Sequence, residues 1–473
     1  MAENYDLVIV GGGTGGYAAA IRASQSGLKT ALVEEQLLGG TCLHKGCIPS
    51  KALLRSAEVF RLAKEAASFG VTVGKAELDF TKVQERKQSI VDRLATGVKG
   101  LMKKGKIDVY EGRGTLLGPS IFSPTPGTVS VDLGDGENEM LIGSNVILAT
   151  GSSPRTLPQT PFNGSSIISS EEALNFEALP SSIVIVGGGV IGVEWASMLI
   201  DFGVEVTIVE AGDRILPTAD KDISKEMMKQ LQNRGVTIYT RATLNEADLK
   251  IEDHSVTVSV SCQDETLSIP VDKMMVSIGR SANVKNIGLE NTDIVLESGY
   301  IKVNEYGQTK ESHIYAIGDC VGGLQLAHVA THEGLIAVAH MTREPVEPLN
   351  PTMVPSCIYS FPESAQVGLT ERDAKEQGYQ IKVGTFPFAA VGKALVQGEE
   401  EGFVKVISDE KTKDVLGVHI IGSHATDLIS EAALAKYLDA AHVELGDMIH
   451  PHPTMSEAIG EAALLIDKRA IHM

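Results

Sequence analysis

YDLVIVGGGTGGYAAAIRASQSGLKTALVEE, residues 5–35, decides the reading of the fold. A β-rich apolar run enters a G-x-G-x-x-G turn. A helical stretch follows, then a glycine, a second β run and a closing acid. That order predicts a strand, a tight turn, a helix and a second strand, the βαβ unit that holds a dinucleotide. SSIVIVGGGVIGVEWASMLIDFGVEVTIVEA, residues 181–211, repeats the pattern with the same spacing. One glycine motif is a weak signal, because many turns contain glycine. Two copies, each with its strand, helix and acid in place, predict two dinucleotides.

The glycines have separate tasks. Gly11 permits the tight turn, Gly13 lets a pyrophosphate approach the backbone, and Gly16 lets the helix sit close to the strand. The helix N-terminus then turns unpaired N–H groups and a partial positive charge toward the phosphates. Glu34 falls where a carboxylate accepts ribose hydroxyls, and Gly187, Gly189, Gly192 and Glu210 repeat the scheme. A carboxylate at Glu210 repels a 2′-phosphate, so NAD rather than NADP is expected at the second site.

Outward from these units, 473 residues suit about three domains. A polar helix is predicted near 81–104, a glycine- and proline-rich meander at 107–143, and buried strands in 145–155, ending at Thr150-Gly151, and at 273–283 and 313–320. A helical stretch from about 328 to 343 leads to a proline cluster at 345, 348, 351 and 355, read as a linker. Beyond it lie a β-hairpin at 402–422 and an amphipathic helix at 425–441, so the third unit reads as antiparallel sheet plus helices.

The net charge is −20, from 41 basic against 61 acidic residues, which argues against nucleic acid and leaves room for a basic protein partner. The first residues, MAENYDLVIV, show no basic region before a small-residue cleavage site, and the apolar run at 183–200 is broken by glycines and Glu194. A soluble cytoplasmic protein with no membrane span is expected.

GGTCLHKGCIPSK, residues 39–51, holds two of the five cysteines, Cys42 and Cys47. A zinc site wants four ligands, and only His44 stands nearby. A staple around so short a loop contributes little chain entropy. A redox pair is the better reading. On an ideal helix this separation rises about 7.5 Å, beyond the roughly 7 Å Cα limit of a disulfide. The helical region expected near 45–68 must therefore start distorted if the bond forms, and Gly46 and Pro49 suit such a start. Lys51 follows Cys47 on the same helix face, where its charge would stabilise a thiolate or a reduced flavin. HPHPTMSE, 450–457, offers His452 as a base near neutral pH and Glu457 to orient its ring; taken alone it is a surface loop with two ordinary histidines. Cys262, Cys320 and Cys357 read as small buried side chains.

On GGGTGG, GGTCLHKGCIPSK, ILATGSSPR, GGGVIGVE, SIGRSAN, YAIGDC, LAH at 326–328 and HPHPT, the whole chain resembles the class I flavoprotein pyridine nucleotide-disulfide oxidoreductases. Within them it is similar to the branch that oxidises protein-bound dihydrolipoamide. The resemblance implies an α/β fold: two Rossmann-like dinucleotide-binding domains plus a C-terminal α+β dimerisation domain. Its implied boundaries are 1–149 for FAD, 150–278 for NAD, 279–349 completing the FAD domain, and 350–473 for dimerisation. FAD would be held by Gly11, Gly13, Gly16, Glu34, Gly40, Thr41, Lys51, Gly114, Thr150, Gly151, Asp319 and Ala327. NAD would be held by Gly187, Gly189, Gly192, Glu194, Glu210 and Gly279, and Glu194 would also pair with Lys51. Cys42 would exchange with substrate, Cys47 would face the flavin, and His452 with Glu457 would be the base, acting across a homodimer interface. Electrons would pass from the dithiol through FAD to NAD⁺ as hydride. The implied partner is a lipoylated acyltransferase of a 2-oxo acid dehydrogenase complex, or a lipoylated glycine-cleavage protein. Another NAD(P)H-dependent flavin disulfide reductase, or a structural docking subunit, are the alternatives. His44-Lys45 stand where relatives often have asparagine-valine, which adds charge beside the cysteines.

Overall fold

A computed structural model describes residues 2–119, 126–134, 136–252, 255–263 and 265–473. The chain forms two compact units: residues 1–52, 81–155 and 279–349 in one, and 53–80, 156–278 and 350–473 in the other.

The first unit is built on the strand Ala2–Val10, which pairs in parallel with Thr30–Glu34 on one side and Asn138–Leu148 on the other. Among the described residues the sheet runs Asp108–Glu111, Thr30–Glu34, Ala2–Val10, Asn138–Leu148, Thr128–Asp132, Arg113–Leu117, with Ile314–Ala316 also on Asn138–Leu148. The last three strands in that order are joined antiparallel, which is the meander expected at 107–143; its residues 120–125 and 135 lie outside those described. Leu7, Ile9 and Leu32 face one side and Val8, Val10 and Val33 the other, and both sets are buried. Burial on both faces explains why these strands read as continuous apolar runs rather than alternating ones. Helices Thr14–Gln25 and Ala327–Met341 pack together on one face. A Cβ on Gly334 would lie 2.8 Å from the Gly15 carbonyl oxygen, so the glycines let the two backbones approach.

The second unit repeats the parallel sheet: Thr237–Tyr239, Glu205–Val209, Ser182–Val186, Lys273–Val276, Ile167–Ile168. Its later part is an antiparallel sheet ordered Ser356–Ile358, Ser364–Gly368, Val415–Ile421, Phe403–Asp409, Ile381–Pro387. Val404, Val406, Val418 and Ile420 meet Ile429, Ile459 and Ala462 of the helices Ala425–Tyr437 and Glu457–Ile466 in one core. Lys405, between these valines, points away from that core to three carboxylates: Asp220 at 2.8 Å, Asp222 at 2.6 Å and Glu371 at 2.6 Å. Among the described residues, no helix is long and apolar enough to cross a membrane.

Candidate active site

The two glycine loops have the same geometry for the same steric reasons. Gly11 and Gly187 sit at φ +107° and +109°, where a side chain is strained, and a Cβ on either would also strike a backbone carbonyl, of Ala149 or Ser277. A Cβ on Gly16 would collide with the Gly11 carbonyl oxygen, and one on Gly192 with that of Gly187. Gly13 and Gly189 precede the first residues of helices Thr14–Gln25 and Val190–Phe202, with free space where their side chains would be: nothing lies within 4 Å of a Cβ at Gly189. That is the surface a diphosphate requires, bare backbone at a helix N-terminus. The closing acids hold the loops. Glu34 accepts hydrogen bonds from Gly12 N and Gln36 N, both 2.7 Å, and Glu210 from Gly188 N and Gly212 N, both 2.7 Å.

Gly40 (φ +62°) lies against Gly13; a Cβ on it would stand 2.6 Å from the Gly13 Cα. Gly40 and Thr41 begin the short helix Gly40–His44, which carries Cys42. Lys45 and Gly46 then interrupt the helix, and Cys47 is the first residue of a new one, Cys47–Glu65. The region expected as one helix near 45–68 is thus two, starting earlier and broken between the cysteines. The break lifts the restriction that an unbroken helix puts on their separation. Their thiols are hydrogen-bonded to each other. The Cys42 thiol is held above its ordinary range, first by that hydrogen bond and then by burial, while Lys51 opposes both. Such a thiol needs a base before it can act as a nucleophile. His44 is tied to the Leu38 carbonyl at 3.0 Å, and the Lys45 ammonium donates to Gln36 at 2.6 Å.

The first unit carries several other predicted residues. The Thr150 hydroxyl donates to the Asn283 carbonyl at 2.7 Å, and Asn283 N donates to Gly151 O at 2.9 Å. Gly151, at φ +69°, has nothing within 4 Å of a Cβ, and Gly114 packs on the Val10 side chain. Asp319 lies in the turn Gly318–Val321, hydrogen-bonded by the Ser152 hydroxyl, while Arg280 stands 3.9 Å from its carboxylate and 2.7 Å from Ser152 Oγ. Ala327 begins the helix Ala327–Met341. Ser152, Arg280, Asn283 and Glu333 were not singled out from sequence, although the GSS and GRSAN stretches containing the first three were; the signal available was a polar residue just after each glycine. Cys320 is fully buried and its thiol is pushed up to about 11 by that burial.

In the second unit His452 is exposed, with Nδ1 2.8 Å from Glu457 Oε1, while Glu457 Oε2 accepts from Thr454 N at 2.9 Å. Burial alone would raise the Glu457 carboxyl; the His452 hydrogen bond and the Thr454 N–H carry it below the usual range. The His452–Pro453 peptide is cis. His450 forms a separate, half-buried pair, with Nε2 2.8 Å from Glu431 Oε1. Glu194 is buried and accepts from Tyr359 N at 3.0 Å. Gly279, at φ +108°, has open space where its side chain would be and accepts from Arg155 N at 2.9 Å. Among the described residues no group of histidines, cysteines and carboxylates is arranged to hold a metal ion.

Residues 5–334 match the family Pyridine nucleotide-disulphide oxidoreductase, and residues 354–463 match the dimerisation domain of the same family. The chain belongs to the pyridine nucleotide-disulphide oxidoreductases. In this family it is 62% identical to a dihydrolipoyl dehydrogenase of Bacillus subtilis over the full length of both chains, and 41% identical to one of Zymomonas mobilis, again over both full lengths. Among solved family structures it is similar to LpdA of Mycobacterium tuberculosis, with TM-score 0.90 and 27% identity over 97% of this chain and 99% of that one. It is also similar to RclA of Escherichia coli, an HOCl-induced flavoprotein disulfide reductase, with TM-score 0.84 and 28% identity over 98% and 100%. The α/β class and the pairing of a dinucleotide region with a dimerisation domain, both expected from sequence, are those of the family.

Proposed function

We propose that the chain is a homodimeric, cytoplasmic dihydrolipoyl dehydrogenase that oxidises protein-bound dihydrolipoamide to lipoamide and reduces NAD⁺. The observation that carries this reading is the thiol pair Cys42–Cys47, set across a helix break beside a glycine loop with a bare backbone surface. The full-length identity of 62% to a dihydrolipoyl dehydrogenase supports the choice of substrate. The region at 350–473 is assigned to dimerisation, 1–149 with 279–349 to FAD, and 150–278 to NAD. Gly11, Gly13, Gly16, Glu34, Gly40, Thr41, Gly114, Thr150, Gly151, Asp319 and Ala327, with Lys51, would hold FAD. Gly187, Gly189, Gly192, Glu194, Glu210 and Gly279 would hold NAD.

FAD, when bound, supplies a two-electron acceptor between the dithiol and the nicotinamide. The protein's own part is thiol chemistry. His452, oriented by Glu457, takes a proton from one substrate thiol. That thiolate attacks the Cys42 sulfur of the oxidised pair, the Cys42–Cys47 bond breaks, and Cys47 leaves as a thiolate. The second substrate thiol then attacks the substrate sulfur of the mixed disulfide, closing lipoamide; Cys42 leaves as a thiolate and takes up the proton that this thiol gives up. His452 is 78% exposed and Ile449, close to it in sequence, is 93% exposed, as expected for a base and an apolar face that a second copy covers. The lipoylated acyltransferase of a 2-oxo acid dehydrogenase complex, or a lipoylated glycine-cleavage protein, is the partner that would deliver the substrate. Cys47→Ser is expected to abolish NADH formation from dihydrolipoamide, followed at the nicotinamide absorbance. Retained turnover would overturn the assignment.

A further inference from the structure

A carboxyl group outside the predicted set sits behind the turn that carries Asp319. Glu333, on the helix Ala327–Met341, accepts a hydrogen bond from Gly318 N at 2.6 Å. Gly318 is at φ +73°, a shape open to glycine and rare for other residues. On the other side of the turn the Ser152 hydroxyl and Arg280 hold the Asp319 side chain. The next residue along the helix, Gly334, meets the Gly15 carbonyl in the first turn of the helix that follows the first glycine loop. Glu333 is thus placed between the Asp319 turn and the N-terminal end of the Thr14–Gln25 helix.

We propose that Glu333 is a positioning residue for FAD: its carboxyl oxygen fixes the Gly318 N–H and so holds the turn in the shape that presents Asp319 to the cofactor. The inference rests on the reading that the first glycine loop binds FAD. It also gives FAD retention a pH dependence. Burial pushes the Glu333 carboxyl up to about 7, the Gly318 N–H lowers it and the Asp319 charge raises it. Cys320 lies in the same turn, Arg280 beside Asp319, and His328 and His332 on the same helix as Glu333. The Thr14–Gln25 helix has no acidic residue in its first turn, and its Arg22 lies in the last. A dianionic diphosphate bound at that helix end would favour the neutral carboxyl, so FAD would be held more weakly as pH rises through about 7.

The test is release of FAD from the purified holoenzyme in moderate guanidinium, read as the rise in flavin fluorescence, at about pH 6 and about pH 8.5. Wild type is expected to release FAD about tenfold faster at the higher pH. Glu333→Gln keeps an oxygen acceptor for Gly318 N–H and cannot ionise; it is expected to release FAD at one rate at both. Glu333→Ala is expected to release FAD at least tenfold faster than wild type at about pH 6. An alanine variant that releases FAD at the wild-type rate overturns the positioning role. A glutamine variant that keeps the wild-type pH dependence overturns the role of the Glu333 charge, and it decides this even if the alanine variant fails to fold. Absence of a yellow flavin from the wild-type protein would instead sink the FAD reading itself.

Discussion

At the scale of single residues the chemistry depends on a few short contacts. His452 and Glu457 are joined at 2.8 Å, and a second oxygen of the same carboxylate is fixed by Thr454 N, so the imidazole has one preferred orientation. Replacing His452 by Gln removes the proton acceptor and is expected to lower kcat by about 10²–10⁴-fold. Glu457→Gln keeps the shape but loses the charge, and the expected loss is smaller, about tenfold or more. Because the Glu457 carboxyl lies below the usual range, it stays ionised through mildly acidic pH in the wild type. The acid limb of the wild-type rate profile should therefore not belong to Glu457. A stopped-flow profile of dihydrolipoamide oxidation against pH checks both points; an acid limb unchanged in His452→Gln would count against the base assignment.

Elements show how far the sequence could be read. The two βαβ units were legible because their glycines answer local collisions: Gly16 and Gly192 cannot carry a Cβ while the helix sits where it does, and no distant residue changes that. Gly16→Ala is accordingly expected to force the helix off the strand, with a loss of about 1–3 kcal/mol and release of FAD, measured by flavin fluorescence and thermal unfolding. The hairpin strands Phe403–Asp409 and Val415–Ile421 were legible from their apolar runs and the polar turn between them. The break between the cysteines was only half legible. Gly46 and Pro49 announced a distorted start, yet the separate helix before the break, Gly40–His44, starts where Gly40 lies against Gly13, a contact across the first glycine loop. The turn carrying Asp319 was still less so, because Ser152, Arg280 and Glu333 come to it from separate stretches of chain. No local pattern marks such residues; only the folded sheet assembles them.

At the scale of the whole molecule, the −20 net charge coexists with a buried ammonium. Lys405 is almost fully enclosed, and its three carboxylate partners come from the start of the helix Lys221–Asn233 and of the helix Glu371–Glu376. Burial would raise the Asp220 and Glu371 carboxyls and lower the Lys405 ammonium; the hydrogen bonds between them reverse all three shifts. Carboxyls shifted down contribute stability above their ordinary range and lose it as pH falls through the shifted values. Lys405→Met leaves Asp220 buried without its cation, so a loss of about 3–5 kcal/mol is expected near neutral pH. That loss should shrink below about pH 4, where protonation removes the orphaned charge. The one tryptophan, Trp195, is buried in the same compact unit, so its emission during urea unfolding reads this region directly. A penalty that does not vary with pH would show that Lys405 acts by packing alone.

The interruption at Lys45 and Gly46 has one more consequence. It makes the sulfur pair unequal by construction. Cys42 lies inside a helix of five residues, whereas Cys47 opens one of nineteen, where the unpaired amides of a long helix gather partial positive charge. When the bridge is cleaved, excess electron density is drawn to that side. On the proposed reading, in which Cys42 meets the substrate and Cys47 the flavin, the backbone already favours charge on Cys47 before any bound molecule contributes to it.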